Sequence, residues 1–217
     1  MIDKNFESVR ARLIDRLKKR IGVDHISEQV LRAMMSVPRH LFVRKSDIAH
    51  AYDDYPLPIG YGQTISAPHI VAIMCTLLDV EKGMKILEIG GGSGYHAAVL
   101  AELTGPDGMV YSIERIPELV EFARDNLRNA GYLNAVSMTG DGTLGLPEYA
   151  PYDRILVACA APAIPPPLID QLKRGGKMVI PIGDYMQELY IVRKNDVISK
   201  EKSGGVIFVP LIGKYGF

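Results

Sequence analysis

The chain has 217 residues, 47% of them apolar and 23% charged, a profile that fits one ordinary globular domain with a sizeable core and excludes a disordered or fibrous protein. Its 25 basic residues balance its 25 acidic ones, so no net field draws it to phosphate backbones or anionic membranes. The start is charged and lacks a signal-peptide core, and no apolar stretch nears the ~20 residues that span a bilayer, so a cytoplasmic location is expected.

In "FESVRARLIDRLKKRIG", Val9, Leu13, Ile14, Leu17 and Ile21 recur at the spacing of an amphipathic helix with a charged outer face. A second helix follows in "HISEQVLRAMMSVPRHLFV": Ser27 is its expected N-cap, Val30, Leu31, Met34 and Met35 share a face, and Pro38 stops it. From Ala51 to Ser66 the chain is rich in Pro, Gly and Tyr and has no period. A connection that long inside a compact domain is usually functional.

Beyond Ser66 the pattern is regular. "MKILEIG", "GMVYSIE", "NAVSMTG", "YDRILVACA" and "GGKMVIPIG" are short apolar runs of the kind buried on both faces of a parallel sheet. Helical patterns separate them: "HAAVLAELT", "IPELVEFARDNLRNAG" and "PPLIDQLKRGG". The alternation implies βαβ units in a doubly wound, mostly parallel α/β sheet. The tail, "QELYIVRKNDVIS" then "GGVIFVPLIG", reads as strands joined by a turn that close one edge as an antiparallel pair. Cys75 and Cys159 sit far apart in apolar runs and read as core thiols, and no metal-ligand spacing is present.

The most informative segment is "LEIGGGSGYHAAVLA", a strand, a glycine cluster and a helix, which such a sheet places at the carboxyl ends of its strands, where ligands bind. Three residues after Gly92 stands Tyr95 instead of the third glycine of a dinucleotide fingerprint, and no Gly-Lys-Ser/Thr follows, which excludes a P-loop. Glu88, Gly90, Gly92 and Gly94 form E-x-G-x-G-x-G, which resembles the first motif of S-adenosyl-L-methionine (SAM) methyltransferases. Glu114 ends the next strand, close to the roughly 20-residue offset of a ribose-binding acid. Asp141 and Gly142, after the third strand, suit an adenine amino group and its ring. An acid such as Glu88 would repel a pyrophosphate but suit a cationic methionine end.

"VLRAMMSVPRHLFV", "AYDDYPLPIGYGQTISAPHIVAIM", "LEIGGGSGYHAAVLAE", "GDGTLGLPEYAPYDRILVACAAP", "LIDQLKRGGKMVIPIG" and "GVIFVPLIG" resemble, block by block and in order, the protein-L-isoaspartate (D-aspartate) O-methyltransferases. The resemblance implies a seven-stranded Rossmann-like methyltransferase sheet of class I in one domain, 1–217. It divides into an N-terminal helical cap (1–50), an active-site loop (51–66) and a SAM-binding core with C-terminal strands (67–217). It further implies methyl transfer from SAM to the free carboxylate of L-isoaspartyl, and weakly D-aspartyl, residues of damaged proteins. The product S-adenosyl-L-homocysteine is released, and repair proceeds through a succinimide.

The resemblance matches Ser66 to the family's active-site serine. It matches Gln63, Thr64, Ile65 and Ser66, with His69, to the cleft for cofactor and substrate, and Glu114 and Asp141 to ribose and adenine contacts. The strand that holds the substrate peptide corresponds to "GVIFVPL", with Val209. A monomer is the family expectation, and the balanced charge argues against a nucleic-acid partner. One departure is Gly91, where the family more often carries Thr or Ser.

The residues themselves leave "YGQTISAPHIVAIM" open to three readings: a serine nucleophile, a helix cap, or a pocket built on a helix end. Ser66 followed by Pro68 fits an N-cap, and a helix N-terminus offers free N–H groups to a carboxylate. An isoaspartyl residue presents such a carboxylate in mid-chain. It is ionised at neutral pH, so attack on a methyl group requires no general base, and catalysis rests on positioning by Ser66, with Thr64 and Ile65 shaping the pocket. A triad is weak on sequence: "TISAP" is not G-x-S-x-G, and His69 shows no marked acid partner. Asp53 and Asp54 read as a solvated turn or as a loop that orders over the cofactor. After "YDRILVACA", the chain lacks the Asn/Asp-Pro-Pro-aromatic element of amino-directed nucleic-acid methyltransferases. The remaining rivals are an RNA methyltransferase and a non-enzymatic SAM-binding module.

Overall fold

The computed structural model describes residues 2–19 and 26–217. Helix α1 (Ile2–Lys18) buries Leu13 and Leu17 against α2 (Glu28–Ser36), as the apolar stripe requires; Ile21 lies outside the described residues. The Ser27 hydroxyl caps α2 by accepting the Val30 N–H at 3.2 Å, and α2 buries Val30, Leu31, Ala33 and Met34. Two short 3₁₀ turns, Arg39–Leu41 and Lys45–His50, lead into the aperiodic segment.

That segment is partly regular. Strands β1 (Leu57–Gly60) and β2 (Gln63–Ile65) pair as an antiparallel hairpin around Tyr61 and Gly62, whose φ values are +55° and +71°. Positive φ at both central residues is the type I′ requirement. Three- and four-residue strands are too short for a period to show in sequence, which is why the segment reads there as loop.

The main sheet comprises β3 (Lys85–Ile89), β4 (Met109–Glu114), β5 (Ala135–Thr139), β6 (Tyr152–Val157), β7 (Leu172–Ile182), β8 (Gln187–Lys194) and β9 (Ile198–Val206). Its order is β5-β4-β3-β6-β7-β8-β9, parallel from β5 to β7 and antiparallel from β7 to β9. Helices α3 (Pro68–Leu78), α4 (Tyr95–Thr104), α5 (Pro117–Asn129) and α6 (Pro166–Gln171) cover it. Successive strand residues bury into opposite cores: Ile86 packs with α1 to α4, and Leu87 packs with α6. Full burial of such a side chain contributes about 1.5–3 kcal/mol, and burial on both faces is why the strands read as continuous apolar runs.

The structure corrects two boundaries. The "PPLIDQLKRGG" helix ends at Gln171, where Leu172 already pairs with Tyr152 as strand. Gln171 itself is held out of a longer helix by bonds to the Leu146 N–H and the Leu144 carbonyl, both 2.7 Å. The second tail strand is "ISKEKSGGV", and Ile207–Phe217 lie outside the named strands. An edge strand faces water and carries charges without an apolar rhythm. The apolar "VIFVPLIG" instead crosses back over the strand ends, bridging Pro210 to Ala160 and burying Leu211. Among the described residues no helix is long and apolar enough to cross a membrane, and no group of three or more His, Cys, Asp or Glu is placed to share a metal ion.

Candidate active site

Strand β3 lies between β4 and β6, and the carboxyl ends of these strands open a cavity of about 260 Å³. Gln63 and Thr64 wall it on one side and Val209, Pro210, Leu211 and Ile212 on another. The floor is Ile89, Gly90, Gly92, Ile113, Glu114, Gly142, Ala158 and Cys159, with exposed Arg115 at the margin. A second, smaller chamber shares Thr64, Gly90, Gly92 and Ala158 with it and adds Ile65, Ser66, Val71, Gly91, Ser93, Tyr95 and His96. Sequence reasoning missed Cys159, Tyr95, His96 and Arg115; only the position of the last three beside the motifs hinted at a role.

The glycines divide the work. Gly90 and Gly92 line the cavity with φ of +83° and +53°, conformations that L side chains rarely adopt. Gly94 reaches neither chamber: an added Cβ would meet Ala123 and Leu127 of α5 at 3.2–3.3 Å, so it permits α4 to pack on α5. Gly91 has ordinary φ, but a Cβ there would stand 2.2 Å from the Ser112 hydroxyl.

Glu114, 8% exposed, clamps this loop. Its Oε2 accepts the Gly92 N–H at 3.1 Å and its Oε1 the Ile116 N–H at 3.0 Å; it makes no ion pair with Arg115. A carboxylate offers about four acceptor positions, so two remain for a pair of hydroxyls in the cavity.

Glu88 is placed differently from the sequence reading. It is fully buried on β3, lines neither chamber, and accepts a 2.5 Å hydrogen bond from Ser112, its partner in register on β4. Its second oxygen has no hydrogen-bond partner among the described residues. Burial, with the nearby Glu114 charge, pushes its pKa up to about 8, so it is protonated at neutral pH and does not supply the negative charge assigned to it on sequence. The folded pKa lies above the ordinary 4.5, so the stability this carboxyl contributes is complete below about 4.5 and is lost as pH rises toward 8. In urea titrations, Glu88→Gln should therefore gain on the natural protein between pH 5 and pH 8, with the difference level beyond about 8.5. A difference that is constant with pH would refute the assignment.

Asp141 also stands outside the cavity wall, although Gly142 lines it. Asp141 accepts the Thr143 N–H (2.9 Å) and hydroxyl (2.7 Å) on one oxygen and the Lys214 N–H (2.9 Å) on the other. Burial opposes its ionisation, but these donors outweigh it and hold the carboxyl below its usual range. The structure thus shows Asp141 tethering the C-terminal segment that roofs the cavity.

Ser66 is not a helix cap. Ala67 is the N-cap residue of α3, and Pro68 occupies the first turn. Nor is the helix end open to a carboxylate. Pro68 has no N–H, Ile70 N–H bonds the Ala67 carbonyl at 3.0 Å, and His69 N–H bonds Asp54 Oδ1 at 2.9 Å. The same Asp54 oxygen takes His69 Nδ1 at 2.8 Å, so His69 does have an acid partner, 15 residues upstream. His69 reaches neither chamber and no hydrogen bond joins it to Ser66, so the pair caps α3 and forms no triad. Asp53 bonds His50 and Tyr55 at the surface. Among the described residues the Ser66 hydroxyl has no hydrogen-bond partner, while its carbonyl accepts a 2.8 Å bond from buried Arg39.

A protein-L-isoaspartate (D-aspartate) O-methyltransferase family model matches residues 8–216. The chain belongs to this family. A protein-L-isoaspartate O-methyltransferase of Methanothrix thermoacetophila is 61% identical over 208 residues, covering 96% of this chain and 97% of its own. A solved protein-L-isoaspartate O-methyltransferase superposes with a TM-score of 0.87 at 32% identity, over 95% of this chain and 67% of that one. A Plasmodium falciparum structure of the same name, in complex with S-adenosyl-L-homocysteine, superposes at 0.82 and 28% identity over 94% and 98% of the two chains. The sheet is that of a class I SAM-dependent methyltransferase, and the reaction class is SAM-dependent methyl transfer to the carboxyl group of isoaspartyl residues in proteins.

Proposed function

We propose that Ser66 orients the α-carboxylate of an L-isoaspartyl residue, and less effectively the side-chain carboxylate of a D-aspartyl residue, beside the cofactor cavity. The methyl ester then collapses to a succinimide outside the enzyme, opening the route to repair. One observation carries this reading: the small chamber holding the unengaged Ser66 hydroxyl shares Thr64, Gly90, Gly92 and Ala158 with the larger cavity. A group seated at Ser66 is adjacent to whatever the cavity holds.

The residues of the cavity fit SAM. Glu114 offers two free acceptor positions for ribose hydroxyls, the bare backbone of Gly90 and Gly92 admits close approach, and Ile89, Ile113, Gly142 and Leu211 form an apolar slot for a base. When bound, SAM supplies an electrophilic sulfonium methyl. The protein aims one already ionised carboxylate oxygen at it and excludes water, so no proton has to be moved. A neutral hydroxyl suits this task, because a direct cationic contact would stabilise the anion before reaction and blunt its attack. Thr64 and Ile65 shape the chamber, and Val209 borders the entrance for the peptide. The same reading takes residues 1–217 as one domain with a helical cap (1–50), an active-site segment (51–66) and a SAM-binding core (67–217). It also takes the protein as a cytoplasmic monomer without a nucleic-acid partner, in keeping with its balanced charge.

The test is methyl transfer from labelled SAM to two peptides that differ only in isoaspartate or aspartate at one site. Base-labile label on the isoaspartyl peptide alone is expected. Ser66→Ala should lower turnover by about 10- to 100-fold, the range of one hydrogen bond to a charged group, with SAM affinity within about threefold. Equal losses in both would remove Ser66 from the proposed role.

A further inference from the structure

The first turn of α3 offers the chamber at Ser66 no free amide, because each one is engaged or missing. A buried cation stands behind it. Arg39 is 0% exposed. Its Nε–H donates to the Ala51 carbonyl at 2.9 Å and its Nη2–H to the Ser66 carbonyl at 2.8 Å. Its guanidinium lies 4.7 Å from the ring centre of Tyr95, the first residue of α4 and a wall of the same chamber. Among the described residues Nη1 has no hydrogen-bond partner, and no carboxylate lies within 4.0 Å of the group. Tyr95, Tyr52 and Asp54 act on it electrostatically, the last already bonded to the His69 N–H and ring, and, alongside burial, its charge in turn disfavours protonation of His96 in the chamber wall.

Burying a guanidinium without an acid partner is costly, and it persists where the surroundings overdetermine it. Here it joins both ends of the 51–66 segment to the start of α4. A planar two-pronged donor does this, whereas an ammonium on a flexible stem does not.

We infer that Arg39 is a positioning residue that gives the site its preference for a negatively charged substrate group. It fixes Ser66 through its carbonyl and lends charge to the chamber from behind, without touching the carboxylate. This inference rests on the proposed seating of that carboxylate at Ser66. It reconciles two demands: an anion is drawn in by a low-dielectric cation, yet its nucleophilic oxygen meets only a neutral hydroxyl.

The test compares two peptides in the presence of S-adenosyl-L-homocysteine: one isoaspartyl, the other its α-carboxamide isostere, each titrated calorimetrically. The natural protein is expected to favour the carboxylate by tenfold or more. Arg39→Met should cut that ratio about tenfold and lower turnover, with S-adenosyl-L-homocysteine affinity within about twofold. Arg39→Lys should keep most of the ratio but lose turnover about tenfold, having charge without the two-pronged hold.

Equal weakening of both peptides in Arg39→Met would mean a merely structural role and overturn the inference. Should that variant not fold, Arg39→Lys decides: turnover equal to the natural protein, or loss of the carboxylate preference, overturns it. The natural protein separates the two readings. No discrimination there overturns the seating at Ser66 and this inference with it; discrimination that survives Arg39→Met overturns the inference alone.

Discussion

Replacing Glu114 by glutamine is expected to weaken S-adenosyl-L-homocysteine binding by about 100-fold or more, measured by titration calorimetry. Two losses combine. The proposed bonds from ribose hydroxyls to a carboxylate are charge-assisted, at about 1.5–3 kcal/mol each, and an amide keeps only one acceptor oxygen. The same carboxylate also accepts the Gly92 and Ile116 N–H groups, so an amide NH₂ must now face one of those donors. The glycine loop has other ties to β4, since the Gly90 and Gly91 N–H groups both bond the Ile113 carbonyl at 2.9 and 3.1 Å. The fold should therefore survive, with a melting shift of only a few degrees. Affinity unchanged within threefold would show that Glu114 serves the loop alone and does not contact the cofactor.

The second large effect is expected at Gly91, and it falls on stability. A methyl group there displaces the Ser112 hydroxyl, which stands 2.2 Å from the added carbon. Turning that hydroxyl away deprives buried Glu88 of the one hydrogen bond it makes among the described residues, with its other oxygen already unpartnered among them. Gly91→Ala should then cost about 2–4 kcal/mol in urea denaturation, the range for stranding a buried carboxyl. A compensating pair sharpens the test. The added carbon would lie 3.7 Å from Glu88 Oε2, close enough for a hydroxyl carried on it to reach. Gly91→Ser combined with Ser112→Ala should accordingly recover at least half of the loss, whereas either partner with alanine at both positions should not. A neutral Gly91→Ala would sink this account.

The sequence alone determined the sheet, the glycine loop and the family. Strands buried on both faces are written as unbroken apolar runs, and the helices between them carry a 3.6-residue stripe, so burial itself leaves the record. Glu114 and Gly142, which line the cavity, stand at or just beyond the ends of strands that sequence could place, whereas Gln63–Ile65 form a strand too short to leave a period. What only the tertiary structure decided concerns contacts between segments far apart in the chain. The amides of α3 looked available until Asp54, folded back from 15 residues earlier, was seen to cap His69. Glu88 looked like a charged cavity wall until burial beside Ser112 made it a neutral carboxyl behind one. Arg39 lay in an ordinary "VPRHLFV" run, and nothing local marks it as the cation behind Ser66. Hydrogen bonding and desolvation depend on distance in space, and no period or spacing along the chain encodes which side chains arrive together.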